Sequence, residues 1–181
     1  MAVLVEALSV VIRAKALLAA FRDDWTAFVA TVPNATLCAD GDLVRVGFMT
    51  PGDVRAYVDS LVEHGLVYLV NGVAQDIVVV DQLRGPLATC QWIEFGHVGL
   101  DGDPKKRVAA CQQVGSVETQ IICPDNWIFS DSLSASFVFV PTSHVDKSLV
   151  FIRHHDGVDV YRSALTGEEV FVANATNRRV E

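Results

Sequence analysis

The sequence predicts an α+β fold with a mostly antiparallel sheet, two helical segments in the N-terminal half and a β-meander in the C-terminal half. Helical apolar periodicity is confined to residues 14–29 and 51–65. Short β-branched runs between turn residues make up most of the remainder, and they prevail after residue 107. From this order of elements, we expect the helices to lie on one face of the sheet.

The length and composition are those of one domain. The chain has 181 residues, of which 51% are hydrophobic, and a chain of this size can bury a core without disulfides or a structural metal. Glycine, aspartate and proline cluster in residues 99–106 and mark a soft internal boundary. Because neither side of this boundary has an obvious core of its own, we predict a single domain over residues 1–181.

Three segments of the N-terminal half carry the main signals. Residues 3–12 form a nearly unbroken β-branched run, which predicts one buried, central strand. Residues 14–21 are rich in alanine and leucine and predict a helix, with a further capped turn up to residue 29. In Thr50-Pro51-Gly52-Asp53 an N-cap hydroxyl precedes a proline and a carboxylate, which predicts a helix that ends at Gly65.

Hairpins and short strands are predicted for the rest of the chain. Residues 36–48 read as a hairpin, and Asn71-Gly72, the dipeptide most typical of a two-residue hairpin turn, lies between strands at residues 66–70 and 73–80. A strand at residues 91–95 follows. The later strands are predicted at Arg107–Val114, Val117–Cys123, Ala135–Val140, Ser148–His154, Val158–Arg162 and Glu168–Val172, with turns at His155-Asp156-Gly157 and Thr166-Gly167.

The charge balance favours some partners over others. The chain has 14 lysines and arginines against 22 aspartates and glutamates, a formal net charge of −8. A protein that binds the nucleic-acid backbone needs a basic field to displace counterions, so we expect no nucleic-acid partner. A basic protein partner fits better, because opposite charge accelerates the encounter.

The cysteines and the N-terminal segment indicate a cytoplasmic protein. No pair of cysteines has CxxC spacing, and we expect free, reduced thiols at Cys38, Cys90, Cys111 and Cys123. The apolar start of the chain lacks a basic leader and is interrupted by Glu6, Arg13 and Lys15. No window is long and apolar enough for a membrane span, so we expect no membrane association.

Sequence motifs for cofactors and metals are absent. The chain contains neither of the glycine-rich phosphate loops GxGxxG and GxxxxGK[ST], and the nucleophile elbow GxSxG is missing too. The histidines form none of the patterns HxH, HxxxH and HExxH. We therefore expect no cofactor and no metal ion.

Five residues are candidates for catalysis, if the protein is an enzyme. Asp76 and Asp81 bracket the buried run 77–80, and Glu94 lies on the next predicted strand, so these carboxylates could serve as acid and base. Cys90 ends a Gly-Pro loop and is the preferred nucleophile, with His97 as its base. Cys111 is the alternative partner of His97, and a buried structural thiol is the competing interpretation for both cysteines.

Three functional hypotheses follow. The first is a non-enzymatic, acidic protein-binding domain, of which an immunity protein or antitoxin that blocks a basic partner is one example. The second is a small hydrolase or transferase that uses the five residues above. The third is a small-ligand-binding domain with a cleft between the sheet and the helices. An edge strand in the meander also leaves a homodimer open, and Trp127 is either a packing residue or an anchor for a partner.

Overall fold

The structure, a computed structural model, describes residues 1–118, 120–136, 149–155, 158–163 and 169–173. It has the predicted α+β fold. Helices cover one face of a five-stranded antiparallel sheet, and a four-stranded sheet packs against the opposite face. No helix in the described part of the chain is both long and apolar enough to cross a lipid bilayer.

The two predicted helical segments are confirmed, and a short helix follows later in the chain. The helices are α1 (Ala14–Ala20), α2 (Trp25–Val29), α3 (Pro51–Glu63) and α4 (Leu133–Ser136), with a 3₁₀ turn at Phe129–Asp131 just before α4. The cap of α3 forms as predicted: the Asp53 N–H donates to Thr50 Oγ1 at 3.2 Å, and the Thr50 hydroxyl donates to the Asp53 carboxylate at 2.7 Å.

The strands differ widely in length. In chain order they are β1 (Ala2–Val5), β2 (Leu8–Arg13), β3 (Cys38–Ala39), β4 (Leu43–Phe48), β5 (Leu69–Val70), β6 (Val73–Ala74), β7 (Ile77–Asp81), β8 (Gly85–Pro86), β9 (Ile93–Leu100), β10 (Asp103–Gln113), β11 (Ile121–Ile122), β12 (Leu149–His155), β13 (Val158–Ser163) and β14 (Glu169–Ala173).

The strands form two packed sheets, a small ribbon and a meander. The five-stranded sheet has the order β3-β4-β2-β7-β8, and the four-stranded sheet has the order β11-β1-β10-β9, in which the β1–β11 pair is parallel. β5 and β6 form a two-stranded ribbon, and Val73 of β6 also makes an isolated parallel bridge with Thr89. The antiparallel order β12-β13-β14 confirms the predicted meander, although its turn residues 156–157 and 164–168 lie outside the described residues.

Two apolar layers hold the sheets and helices together. On one face of the five-stranded sheet, Val10 and Ile12 of β2 pack with the buried stripe of α3. On the other face, Val11 packs with side chains of the second sheet such as Val3 and Ala109. Because successive side chains of a strand point to opposite faces, β2 contributes to both layers and is buried throughout except at its last residue.

The prediction of one strand over residues 3–12 is wrong. β1 ends at Val5, β2 begins at Leu8, and the two strands belong to different sheets. Between them Ala7 has a φ of 47°, a left-handed conformation that redirects the chain, and its N–H donates to Gln82 Oε1 at 2.8 Å. The apolar pattern hides this break because both β1 and β2 are buried on both faces.

Two further strand predictions need correction. The Asn71-Gly72 turn is present, with the two positive φ angles (51° and 79°) that such a turn requires, but residues 73–80 divide into β6 and β7. Ala135 and Ser136 end helix α4 instead of beginning the predicted strand Ala135–Val140. The remainder of that prediction, residues 137–140, lies outside the described residues.

The segment predicted as a soft boundary contains a hairpin turn within one sheet. Asp101 and Gly102, both with positive φ, connect β9 to β10. The two strands then pair from Gly99 opposite Arg107 to Ile93 opposite Gln113. β9 and β10 therefore belong to one sheet across this segment, with a bulge between Asp103, which pairs with Leu100, and Arg107.

We predict that the Ser9→Ala substitution destabilises the fold by about 1–3 kcal/mol, because it leaves buried donors without an acceptor. The Ser9 hydroxyl accepts from Arg45 Nε at 2.9 Å and donates to the Glu6 carbonyl at 3.0 Å, close to the break between β1 and β2. The free energy of unfolding in urea measures the effect, with the exposed Ser130→Ala as the control. Equal stability of the two variants would contradict this role of Ser9.

Candidate functional site

The two predicted catalytic aspartates lie at opposite ends of β7, where each accepts a hydrogen bond from a main-chain N–H. Asp76 lies just before the strand, and its carboxylate accepts from the Val67 N–H at 2.9 Å. Asp81 ends the strand, and its Oδ1 accepts from the N–H groups of Leu83 and Arg84 at 2.8 and 3.0 Å. Asp81 thus completes a local turn, as aspartates commonly do, whereas Asp76 joins the start of β7 to Val67, in the segment that follows α3.

Glu94 and His97 each have a hydrogen-bond partner of their own. Glu94 is exposed on β9, and its carboxylate accepts from the Gln112 side chain of the neighbouring strand at 2.9 Å. The His97 ring nitrogen Nε2 lies 2.7 Å from the Gln82 carbonyl oxygen. In the register of β9 and β10, Cys111 faces Phe95, so His97 is its diagonal neighbour and not its direct partner.

The thiols have the properties of buried structural cysteines. All four cysteines are free, as predicted, and Cys38 and Cys111 are buried while Cys90 and Cys123 are half-buried. Burial raises the pKa of the Cys90 thiol, although main-chain hydrogen bonds from Trp92 and Ile93 oppose this effect. A raised pKa disfavours the thiolate that a nucleophile needs. The hydrolase or transferase hypothesis therefore stays a prediction, and the hydrogen bonds described for its carboxylates and for His97 go to main-chain groups and to Gln112.

The candidate site lies instead in a cavity of about 820 Å³ at one end of the five-stranded sheet. Three parts of the chain form its walls: residues 31–36, the end of β4 with α3, and residues 124–127. The break between β1 and β2, at Glu6 and Ala7, lines it as well. The cavity is therefore built from segments that are distant in sequence.

The wall formed by residues 31–36 is fixed to the end of β4. The Asn34 side chain donates to the Gly47 carbonyl at 2.8 Å, and the Gly47 N–H donates to Thr36 Oγ1 at 2.7 Å. On the edge of β4 that faces β3, these bonds take the place of a strand partner, since β3 pairs with β4 only at Val44 and Arg45. This wall is thus held in place by the protein itself.

The Glu6 carboxylate fixes the third wall. It accepts from Trp127 Nε1 at 3.1 Å, from the Ser134 N–H at 2.9 Å and from the Ser134 hydroxyl at 2.6 Å. Three hydrogen bonds to one carboxylate connect the segment 124–136 with the break between β1 and β2. Charge-assisted hydrogen bonds of this kind are stronger than those between neutral groups, so we expect this wall to be well ordered.

A buried arginine lines the cavity. Arg45 of β4 is only 2% exposed, and its guanidinium donates to the Ser9 hydroxyl at 2.9 Å, the Thr36 carbonyl at 3.1 Å and the Glu6 carbonyl at 3.0 Å. All three acceptors are neutral. Burial lowers the pKa of the guanidinium, and electrostatic interactions with Cys38 and then with Glu6 oppose that effect.

A buried tyrosine hydroxyl lacks a partner on the α3 side of the cavity. Tyr57 is 5% exposed, and its ring packs against Phe48 with the centroids 5.1 Å apart. Its Oη has no hydrogen-bond partner among the described residues. Burial raises the pKa of this hydroxyl, so the group keeps its proton and remains a donor. Such unpaired buried groups are uncommon in folded proteins and call for an explanation.

Sequence reasoning missed Arg45, Tyr57 and Glu6 as site residues. Arg45 was part of an alternating strand pattern, and Tyr57 belonged to the apolar stripe of a helix. One signal was present: Gly47 follows Arg45 by two residues, which places both on the same face of a strand. A glycine there leaves space for a long side chain to fold across it.

We predict that Gly47→Ala destabilises the protein by about 1–3 kcal/mol through overpacking. A Cβ at this position would lie 2.7 Å from Arg45 Cζ and closer still to Nη2. Gly96→Ala is the matched control, because a Cβ on this strand residue meets no atom within 4 Å. Urea denaturation of both variants measures the difference, and a stable Gly47→Ala protein would show that the guanidinium can shift freely.

Comparisons with known proteins leave the family of the chain open. The sequence matches no protein-family model, and neither a curated protein nor a solved structure shows significant similarity to it. Any functional assignment must therefore be argued from the cavity and the surface of this chain alone.

Proposed function

We propose that the protein is a small-ligand-binding domain and that the ligand occupies the cavity between α3 and residues 31–36 and 124–127. The observation that carries this proposal is a cavity of ligand size that two buried polar residues line from different sides, Arg45 from the face toward the four-stranded sheet and Tyr57 from the face toward α3. A ligand that accepts hydrogen bonds would satisfy donors that the described part of the chain leaves unused.

The size and lining of the cavity support the proposal. A volume of about 820 Å³ lies within the range of pockets for small organic molecules. Apolar side chains, among them Phe48, Met49 and Leu133, alternate with polar groups along the walls. Ligand sites combine these features, because apolar contacts provide affinity while a few polar groups orient the ligand.

The fixed walls also support ligand binding. Gly47 ties down one wall through Asn34 and Thr36, and Glu6 ties down another through Trp127 and Ser134. A cavity whose walls are already ordered requires little further loss of conformational entropy when a ligand enters.

We predict that small aromatic and aliphatic fragments, tested in neutral, cationic and anionic forms, include compounds that shift the NMR signal of the Trp127 indole N–H. Trp127 lines the cavity, whereas Trp25 and Trp92 are not among its lining residues and serve as internal controls. The Ala56→Phe substitution, at the cavity wall on α3, should weaken binding by at least tenfold by filling space.

Arg55→Phe is the matched control for this experiment. Arg55 is the preceding, exposed residue of α3 and is not among the cavity-lining residues, so its substitution should leave the affinity unchanged. If no fragment shifts the Trp127 signal, or if both phenylalanine variants weaken binding equally, the proposed site is wrong.

Our second proposal is that the protein binds a basic protein partner in the cytoplasm. The net charge of −8 favours it, and the exposed side chains of Leu69 and Val70 on the β5–β6 ribbon supply an apolar element. A homodimer also stays a prediction, with an edge of the meander as its proposed surface.

The second proposal predicts a partner that the protein captures from native lysate at low salt and loses at high salt, because screening weakens attraction between exposed charges. Val70→Ser should reduce capture, while Val117→Ser, at a 93% exposed position, should not. Capture that is unaffected by salt and by Val70→Ser would rule this mode of binding out.

A further inference from the structure

The Trp127 indole presents an aromatic surface to the cavity. Its Nε1–H donates to Glu6 Oε2 at 3.1 Å, and an indole has no second donor. What the ring still offers a ligand is therefore its carbon surface. Because Trp127 is half-buried and lines the cavity, part of this surface is left for a ligand to contact.

The Glu6 carboxylate beside this ring has no cationic partner at ion-pair distance among the described residues. All three of its hydrogen bonds come from neutral groups, the Trp127 indole and the N–H and hydroxyl of Ser134. Arg45 donates to the main-chain carbonyl of Glu6 and influences its carboxylate only from beyond ion-pair distance. A half-buried carboxylate in this state stabilises a cation placed near it.

The walls of the cavity carry more acidic than basic groups. Among the described lining residues the acids are Glu6, Asp53 and Asp125, and the only base is Arg45. Arg45 is 2% exposed and donates to neutral acceptors. Asp53 and Asp125 are exposed, and neither belongs to an ion pair within the described ranges. The walls therefore attract a cation and repel an anion.

An ammonium group fits this combination of ring and charge. A cation is attracted to the face of an aromatic ring, and to tryptophan most strongly, within about 6 Å of the ring centre. Because the indole edge is hydrogen-bonded to Glu6, a cation on the Trp127 ring also lies in the field of that carboxylate. An anion at the same position is repelled by the carboxylate and by the negative face of the ring.

We propose that the ligand is a protonated amine with an apolar body, whose ammonium group lies against the Trp127 indole and beside Glu6. The apolar body packs against the side chains of Phe48, Met49 and Leu133 in the same cavity. A hydroxyl or carbonyl oxygen on that body is compatible with the hydrogen-bond donors of the walls. This inference rests on the proposed function and specifies the chemical class of the ligand.

The test compares three probes with one phenylpropyl body, 3-phenylpropylamine, 3-phenylpropanol and 3-phenylpropanoate, at about pH 7 and low salt. Titrations follow the Trp127 indole signal. The amine, which is protonated at this pH, should bind at least about tenfold tighter than the neutral alcohol, and the acid should bind most weakly. An affinity for the alcohol or the acid that equals or exceeds that for the amine would overturn the assignment of a cation.

Asp53→Asn combined with Asp125→Asn removes two exposed charges of the cavity and leaves the hydrogen bonds of Glu6 in place. This double variant should weaken binding of the amine about fivefold and leave binding of the alcohol unchanged. Asp23→Asn combined with Asp59→Asn is the matched control, since both residues are exposed and neither is among the cavity-lining residues. Unchanged affinity for the amine in the first variant, or an equal loss in both variants, would also overturn the assignment.

Glu6→Gln tests the position of the ammonium group. It should weaken binding of the amine at least about tenfold and binding of the alcohol less than about twofold, and an equal loss for the two probes would place the cation elsewhere and overturn the inference. If this variant does not fold, the aspartate variants decide. Failure of the cation assignment while other fragments bind at Trp127 would leave the ligand-binding proposal standing. Failure of every fragment and of all three probes would overturn both proposals together.

Discussion

The hydrogen bonds of one buried guanidinium connect the parts of the structure that depend on one another. Arg45 donates to Glu6 at the break between the two sheets, to Ser9 on the central strand and to Thr36 in the loop before β3. Two of these acceptors also bind each other, since the Ser9 hydroxyl donates to the Glu6 carbonyl at 3.0 Å, so the three groups form one buried network with the guanidinium. The arginine thereby fixes where the chain leaves one sheet, where it enters the other, and where the loop wall of the cavity lies.

The three-layer arrangement explains why polar groups are concentrated at one end of the sheet. Apolar side chains fill both layers along β2, where Val10 and Val11 face opposite ways. At the start of β2 the chain passes from one sheet to the other at Ala7. There the apolar layer between the sheets gives way to Ser9 and Arg45, and the cavity opens beside them.

Local signals in the sequence predicted much of the fold and little of the site. The Thr50 cap of α3 and the Asn71-Gly72 turn depend only on neighbouring residues, so both could be recognised. The turn at Ala7 could not, because its positive φ is imposed by a hydrogen bond to Gln82, 75 positions away. Asp81 was predicted as a catalytic residue although its carboxylate completes a local turn with the N–H groups of Leu83 and Arg84.

The cavity walls come from distant parts of the sequence, and this affects how relatives of the protein can be recognised. Glu6 contacts Ser134 across 128 positions of the chain, so no short segment contains enough of the site to be transferred, inherited or recognised as a unit. Insertions in the surface loops between the walls would change the number of residues that separate the site residues in sequence. They would leave the geometry of the site itself intact. Distant relatives should therefore share the arrangement in space of the Arg45 guanidinium, Gly47 and the Glu6 carboxylate while lacking any common string of residues.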